Sequence, residues 1–269
     1  MDQSYRKNLS ARQVRKMIIE QAYRAHVGHI GSALSIVDIL VTLFSTIIKI
    51  DPENYPDRDR FILSNGHTTL ALYAVLHSLG IIDDEQINSF CLDGSYLGVH
   101  PDIAVPGVDF STGSLGQGLT YAVGCALAAR LQHSSRRVFA LISDAECNEG
   151  SIWEAAMFAS HNRLSNLTTI IDLNGQQAMG YTRDVLDLSP MPEKWKAFNW
   201  DVHSVDGNNI DQMTRVLNSL DTTSTGKPHL IVANTLFGKG VSFMNKQIKW
   251  HYMPLSSEEY HLALDELDQ

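Results

Sequence analysis

The sequence predicts an α/β fold, a mainly parallel sheet with helices on both faces. Three observations carry that prediction. Short β-branched apolar runs alternate with helical stretches along the chain. Two of the runs, VFALIS (138–143) and LTTIID (167–172), are separated by one helix-length segment, the signature of a crossover that sets two strands parallel. No internal repeat, low-complexity segment or linker divides the chain, so residues 1–269 are expected to form a single domain, at the upper end of size for one core.

Taken in order, residues 9–27 have helical periodicity, with Val14, Met17, Ile18, Ala22 and Tyr23 on one side and Arg12, Arg15, Lys16 and Glu20 on the other. The turn HVGHIGS (26–32) ends that helix. A second helix, Ile36–Ile48, is apolar on most faces and is expected to be buried, and DPENYPDRD (51–59) is expected as an exposed loop. FILS (61–64) reads as a short strand closing at Asn65-Gly66-His67. Helices are expected over Leu70–Leu79, over Asp83–Phe90 with an acidic cap, and over the small-residue stretch Leu119–Leu131. The intervening loop 93–118 is too long and glycine-rich for a passive connector. Beyond VFALIS, a helix over Gly150–Asn162 has Asn148 as its cap candidate. Strands follow at Asp201–Val205 and HLIVANT (229–235), with the helix Ile210–Leu220 between them and a serine-capped acidic helix, Ser256–Asp268, at the end.

Composition narrows the class. Hydrophobic residues at 44% and charged residues at 19% are ordinary for a soluble enzyme. A net charge of −9 without long blocks of like charge disfavours nucleic acid as a partner. Polar residues interrupt the longest apolar stretch, so no membrane span is expected. Cys91, Cys125 and Cys147 form no patterned pair, which suits reduced thiols in a cytoplasm.

The strand order around VFALIS and LTTIID places Asp144 and Asn174 at the carboxyl edge of the sheet, where ligands bind in open α/β folds. A carboxylate, an amide oxygen and the backbone carbonyl of Gln176 suit a small hard cation such as magnesium. The plainer alternative is that Asp144 caps a helix and Asn174 fills a turn. GSLGQGLTYAVG (113–124) places glycines where a helix begins, which favours a phosphate or a polar ring edge, or else a close crossing of helices. A nicotinamide-type fingerprint fails there. The spacing is G-x-x-G-x-G, and no acidic residue lies between Phe110 and Ser143 to meet a ribose.

Of the 11 histidines, four sit in glycine-rich or loop turns: His29, His67, His100 and His251. Each alone could be a hydrogen-bonded structural residue. Gathered round a polyol, imidazoles can pass protons near neutral pH. No cysteine or Glu-x-x-His pattern accompanies them, so zinc is not expected.

Together these stretches resemble the transketolases, and in particular separately encoded transketolase N-terminal subunits. AHVGHIGSALS, RFILSNGHTTLALYAVL and GVHPDIAVPGVDFSTGSLGQGL are similar to three histidine motifs of that family, and FGKGVSFMNKQIKWH to the segment ending in a fourth. SDAECNEG, followed by Asn174, resembles the thiamine-diphosphate motif with Ser143 and Ala145 in place of its two glycines. Tyr252 likewise stands where the family usually has glycine.

The resemblance implies a thiamine-diphosphate-binding fold of the diphosphate-binding type and a set of roles. Asp144, Asn174 and the Gln176 carbonyl would hold Mg²⁺, or Ca²⁺ or Mn²⁺ in its place. His67, Ala145 by its backbone, Asn174 and His251 would lie at the diphosphate. Gly113, Ser114 and Leu115 would line the aminopyrimidine, the Gly113 carbonyl accepting from its amine. His29, His100 and His251 would face sugar substrates, phosphorylated or not, and Glu149 would lie near a subunit interface. The pyrimidine-binding domain is then expected on a separate C-terminal subunit, in an α2β2 assembly that transfers a two-carbon ketol unit from a ketose to an aldose. Helix 119–131 and the segment around Glu149–Met157 are the expected partner-facing surfaces. Two alternatives stay open: thiamine-dependent transfer to an unusual acceptor, and a non-catalytic partner subunit with a degenerate cofactor site.

Overall fold

The computed structural model describes residues 9–49, 57–221 and 226–269. Residues 51–56 of the expected exposed loop lie outside these. Seven strands occur in chain order among the described residues: β1 (Arg60–Leu63), β2 (Val138–Ser143), β3 (Leu167–Leu173), β4 (Gln176–Gln177), β5 (Gly180–Tyr181), β6 (Asp201–Asp206) and β7 (His229–Asn234). Five of them form one sheet in the order β1-β2-β3-β7-β6, and every neighbouring pair is parallel. β4 and β5 make a separate antiparallel hairpin.

The sheet is covered on both sides, as its apolar runs require. Side chains alternate along each strand. Phe61, Leu63, Phe139, Leu141, Ile170 and Ile231 enter one core, and Ile62, Val138, Ala140, Ile142, Ile171, Leu230 and Val232 enter the other. The first core is closed by α1 (Ala11–Ala25), α2 (Ile30–Ser35), α3 (Val37–Thr42) and α4 (Thr69–Ser78), joined later in the chain by helices 210–219 and 257–268. The second is closed by helices 117–131, 150–161 and 191–197. The fold class read from the sequence is the one observed.

Local chemistry sets the element boundaries. α1 buries Val14, Ile18, Ile19 and Ala22, its start is capped by the Ser10 hydroxyl, and it stops at His26 in the left-handed region. After α3 the chain continues as a π-helical turn, Leu43–Ile47. The expected helix over Ile36–Ile48 is therefore present as α3 and this turn, and a further helix not expected from the sequence, α2, precedes it and is parted from it at Ile36. An apolar run without a polar cap carries no mark of where such a break falls. Helix α5 (Asp84–Asn88) starts with a reciprocal Asp83–Gln86 capping box, and the final helix with one between Ser256 and Glu259.

α6 (Gln117–Leu131) and α7 (Gly150–His161) cover the second core. Asn148 does not cap α7. Glu149 occupies that position without a side-chain bond, because residues 145–148 are taken up by a 3₁₀ turn capped by Asp144. The sequence patterns also missed α8 (Thr182–Leu186), α9 (Met191–Ala197) and α11 (Lys249–Tyr252), while α10 (Ile210–Ser219) and α12 (Ser257–Asp268) fall where periodicity put them. The missed helices are four to seven residues long, too short for a hydrophobic period to register. Among the described residues, no helix is long and apolar enough to cross a membrane.

Candidate active site

Register fixes the site before any side chain is considered. Ser143 lies opposite Asp172, and Asp172 opposite Ala233, so Asp144, Asn174 and Asn234 leave adjacent strands at one edge. β1 reaches the same edge and delivers Asn65, Gly66 and His67 on a 3₁₀ turn.

The Asp144 turn is tightly laced. Asp144 Oδ1 accepts from the Ala145 N–H at 2.8 Å and Oδ2 from the Gly175 N–H at 2.9 Å, joining the two strand ends. Asn174 donates through Nδ2 to Asp172 at 2.8 Å, and its Oδ1 accepts from the Gln176 N–H at 2.9 Å. Asp172 is fully buried and also accepts from the Ser35 and Thr235 hydroxyls. Two carboxylates therefore stand close together out of water. Burial, and then the charge of Asp172, push the Asp144 pKa up to about 8.

A cation at this place would hold Asp144 ionised at neutral pH. The donor set around it, a carboxylate, an amide oxygen and a carbonyl, is all hard oxygen, as a divalent magnesium-type ion prefers. Among the described residues no cluster of three or more histidine, cysteine or acidic side chains offers a competing softer site. Both amide atoms of Gln176, itself 4% exposed, are buried without a partner. The residues present fit the cation that the sequence motif implies.

Glu146 was not foreseen, and it locks the same edge. It is fully buried. Oε1 accepts from the Ser64 hydroxyl at 2.6 Å and the Gly116 N–H at 2.9 Å, while Oε2 accepts from the Ser143 N–H at 2.9 Å. One side chain thus ties the ends of β1 and β2 to the start of α6. Burial raises its pKa, and the donors around it oppose that rise. Removing it would strand three buried donors, at a cost of roughly 1–3 kcal/mol for each. Ser143 is part of the same knot, its hydroxyl accepting from the Glu146 N–H at 3.2 Å.

The glycine-rich loop reaches the site from above. Gly116 has φ +85, and a Cβ there would meet Ser151 Oγ at 2.4 Å. A Cβ on Gly118 would lie 2.5 Å from Ser64, so here the glycine permits close approach of α6 to the end of β1. Gly113 lies against the His100 ring, its would-be Cβ 3.0 Å from Cδ2. Ser114 is exposed, Leu115 half-buried, and Glu149 is exposed beside Gly116.

Three of the four chosen histidines meet. Ring centroids are 5.2 Å apart for His29 and His67, 5.0 Å for His29 and His251, and 5.6 Å for His67 and His251. His100 is exposed at the rim, close enough for its charge to act on His29 and His67. Burial, and then His29, His251 and His100, push the His67 pKa down to about 3. Burial and His29 bring His251 to about 4, and burial and His100 lower His29. These three are neutral imidazoles at physiological pH, able to accept or donate one hydrogen bond at each ring edge.

The late segment that brings His251 is pinned onto the first histidine turn. The His29 N–H donates to the His251 carbonyl at 3.1 Å, and Gly238 N–H to the Gly31 carbonyl at 3.0 Å. Gly28 and Gly31 admit it: a Cβ on Gly28 would lie 2.5 Å from the Tyr252 carbonyl, and one on Gly31 2.0 Å from the Phe237 ring. The Tyr252 hydroxyl donates to the Ala178 carbonyl, tying the β4–β5 hairpin to the same segment.

Beside the Asp144 turn two open cavities of about 380 and 530 Å³ share Leu173, Thr182, Arg183 and Asn234. Asp144 lines the first; Asn174, Gly175 and Lys246 line the second. Arg183 and Lys246 are cations at this edge that no sequence motif singled out.

A parallel sheet whose carboxyl edge joins a group of oxygen donors to a glycine-opened helix and a histidine cluster suits a cofactor-binding domain of the thiamine-diphosphate type. The family described as "Transketolase, thiamine diphosphate binding domain" matches residues 6–267, and the chain belongs to that family. Among its relatives, the 6-deoxy-6-sulfo-D-fructose transketolase subunit SqwG of Clostridium sp. (strain MSTE9) is 40% identical over 259 residues, covering 95% of this chain and 94% of that protein. An apulose-4-phosphate transketolase subunit of Phocaeicola vulgatus is 39% identical, with 97% of this chain and 93% of that protein covered. Among solved structures, transketolase from Leishmania mexicana superposes with a TM-score of 0.87 at 28% identity, over 97% of this chain but 42% of that one. The chain thus spans about two fifths of the solved transketolase and nearly the whole of the two subunits.

Proposed function

We propose that this chain is the diphosphate-binding subunit of a two-part transketolase, moving a two-carbon ketol unit from a ketose to an aldose. The observation that carries the reading is the pair of coverages: near-complete over relatives named as subunits, partial over the undivided enzyme. A second chain would supply the pyrimidine-binding domain, and two copies of each would form the assembly. The relatives' named substrates, a sulfosugar and a sugar phosphate, favour a ketose with an anionic terminal group.

Bound thiamine diphosphate would supply the carbanion chemistry and electron sink. The chain's own residues would do the rest. Asp144, Asn174 and the Gln176 carbonyl hold the divalent ion, magnesium by preference, with calcium or manganese able to replace it. Asp172 orients Asn174 through the Nδ2 bond. The Ala145 N–H is at present donated to Asp144, so offering it to a diphosphate requires that carboxylate to turn towards the ion. His67 and His251 lie at the diphosphate, and Gly113, Ser114 and Leu115 at the aminopyrimidine. His29, His100 and His251 accept and return protons of the sugar hydroxyls; as neutral imidazoles His29 and His251 are in the right state to accept one. Glu149, exposed at the start of α7, faces the second chain.

The test is a coupled ketol-transfer assay on the purified chain, with and without a candidate second subunit, in the presence of thiamine diphosphate and Mg²⁺. Turnover should require both chains. Ketol transfer by this polypeptide alone would defeat the two-part reading, and no turnover by any assembled pair on phosphorylated or sulfonated ketoses would defeat the activity.

A further inference from the structure

The larger of the two open cavities beside the Asp144 turn has a charge that the rest of the molecule does not share. The chain has a net charge of −9, yet among the described residues lining this cavity of about 530 Å³ none is acidic and two, Arg183 and Lys246, are cations. Asp144 lines the neighbouring cavity instead. Other polar groups of the wall are amides and hydroxyls, those of Asn174, Asn234, Thr182 and Thr235. A volume of that order suits a small organic ligand rather than a bare ion.

The fold brings the two cations to one wall. The Thr182 N–H donates to the Gly175 carbonyl at 3.0 Å, so Arg183 follows directly on a residue pinned to the turn that holds Asn174. Its guanidinium lies over the Tyr181 ring, 5.5 Å from the centroid. The hydroxyl of the same ring reaches the Lys246 carbonyl at 3.4 Å. Lys246 has φ +56, in the left-handed region where glycine or asparagine would cost less, and neither of those would bring an ammonium. Neither charge is used up within the chain. Among the described residues no acceptor is bonded to the Lys246 ammonium. Arg183 pairs with Asp184 at 3.4 Å, but their side chains are 76% and 63% exposed, and such a pair contributes little in water.

We propose that Arg183 and Lys246 form a subsite for the phosphate or sulfonate group of a sugar substrate. A guanidinium can offer two N–H groups to two oxygens of such an anion, and an ammonium adds a point charge. No histidine lines the cavity, but the β4–β5 hairpin bearing Tyr181 is tied to the histidine segment by the Tyr252–Ala178 bond. The anionic end and the reacting end of one sugar would thus be held by adjoining parts of the same edge. Naming the ligand as the ketose rests on the function proposed above, where the relatives' named substrates, a sulfosugar and a sugar phosphate, bear such a group. The preference for an anion rests on the cavity alone.

The binding test uses the full chain alone, titrated by NMR at low ionic strength with D-fructose 6-phosphate, D-fructose and inorganic phosphate. The sugar phosphate should bind at least tenfold more tightly than either of the others. Arg183→Met and Lys246→Met should each weaken it about tenfold, and the double variant should bring it to the level of D-fructose. No binding of the sugar phosphate, binding equal to that of D-fructose, or binding unchanged in the double variant overturns the proposal. Inorganic phosphate binding as tightly as the sugar phosphate would make this a site for a free anion and overturn its assignment to a sugar. Both side chains are exposed, so melts of the variants should match the unaltered chain; should either not fold, Arg183→Gln and Lys246→Gln serve in its place. In the assembled enzyme the double variant should raise KM for a phosphorylated ketose at least tenfold, with kcat and thiamine diphosphate affinity unchanged, because the contact is the same in ground and transition states. Unchanged KM, or a loss of cofactor affinity in its place, would overturn the role and leave the transketolase reading standing. Phosphate-selective sugar binding by a chain whose assemblies transfer no ketol unit would count against the transketolase reading alone.

Discussion

The acidic turn at Asp144 and the histidine cluster lie at one edge of the same sheet, and burial acts on both, yet with opposite consequences. Desolvation disfavours the charged form of either kind of group. For His67 and His251 that leaves neutral rings, with pKa values near 3 and 4, which are already in a usable state at pH 7. For Asp144 it leaves a carboxyl with a pKa of about 8, pressed further by Asp172, which is the wrong state for the ion ligand proposed here until a cation arrives. One half of the site is prepared by being kept dry. The other is prepared at a cost that only a ligand offsets.

The most severe way to break this contrast is Asp144→Ala. It removes the only carboxylate proposed to touch the ion, so magnesium-dependent cofactor binding and ketol transfer by the assembled enzyme should both be lost. Calorimetric titration of the assembly with thiamine diphosphate and Mg²⁺ would measure it. Near-normal binding would mean that the ion sits elsewhere.

Changes in the other half should separate binding from chemistry. His29→Ala and His100→Ala should leave cofactor affinity intact and lower kcat/KM for the ketose by roughly 10²–10⁴ if proton transfer is lost. Steady-state kinetics beside a cofactor titration would show it. Unaltered kinetics in both variants would return these residues to a purely structural role.

The smallest effect is on stability, and its sign distinguishes the halves. Histidines with depressed pKa values bind fewer protons folded than unfolded, so their contribution is complete above about pH 6.5 and is lost as pH falls towards 4 and 3. Asp144, with a raised pKa, binds more protons folded, so without metal its environment weakens the fold progressively from about pH 4 to pH 8. Thermal melts of the single chain should therefore show a larger rise in Tm on adding Mg²⁺ at pH 8 than at pH 6. An equal rise at both would place the ion away from Asp144.

Legibility followed distance along the chain. VFALIS and LTTIID state their burial in their own letters, and the parallel pairing of β2 with β3 followed from one intervening helix. Asp144 and Asn174 were visible because two adjacent strand ends bring together residues only one crossover apart. Asp172 was not, although it orients Asn174. Its partners Ser35 and Thr235 come from distant segments, and an aspartate closing a strand looks like any turn residue. Glu146 was overlooked for the same reason, since Ser64 and Gly116 are far away in sequence. A further bond gives the departure from the glycine motif a physical sense: the Ser143 hydroxyl accepts from the Glu146 N–H, which glycine could not provide. Tyr252, the other departure, uses its hydroxyl to anchor the β4–β5 hairpin.

The bond between the His29 N–H and the His251 carbonyl spans almost the whole described chain. A contact of such long sequence separation closes late in folding, because its loop entropy is recovered only once the intervening sheet has formed. During synthesis the first histidine turn would wait, its left-handed backbone unsupported, until residues 237–252 had left the ribosome. Sheet and cores could assemble before then, but the histidine cluster could not. The histidine cluster thus waits on residues 237–252, so a chain cut before residue 237 would keep its sheet and lose the cluster at its edge.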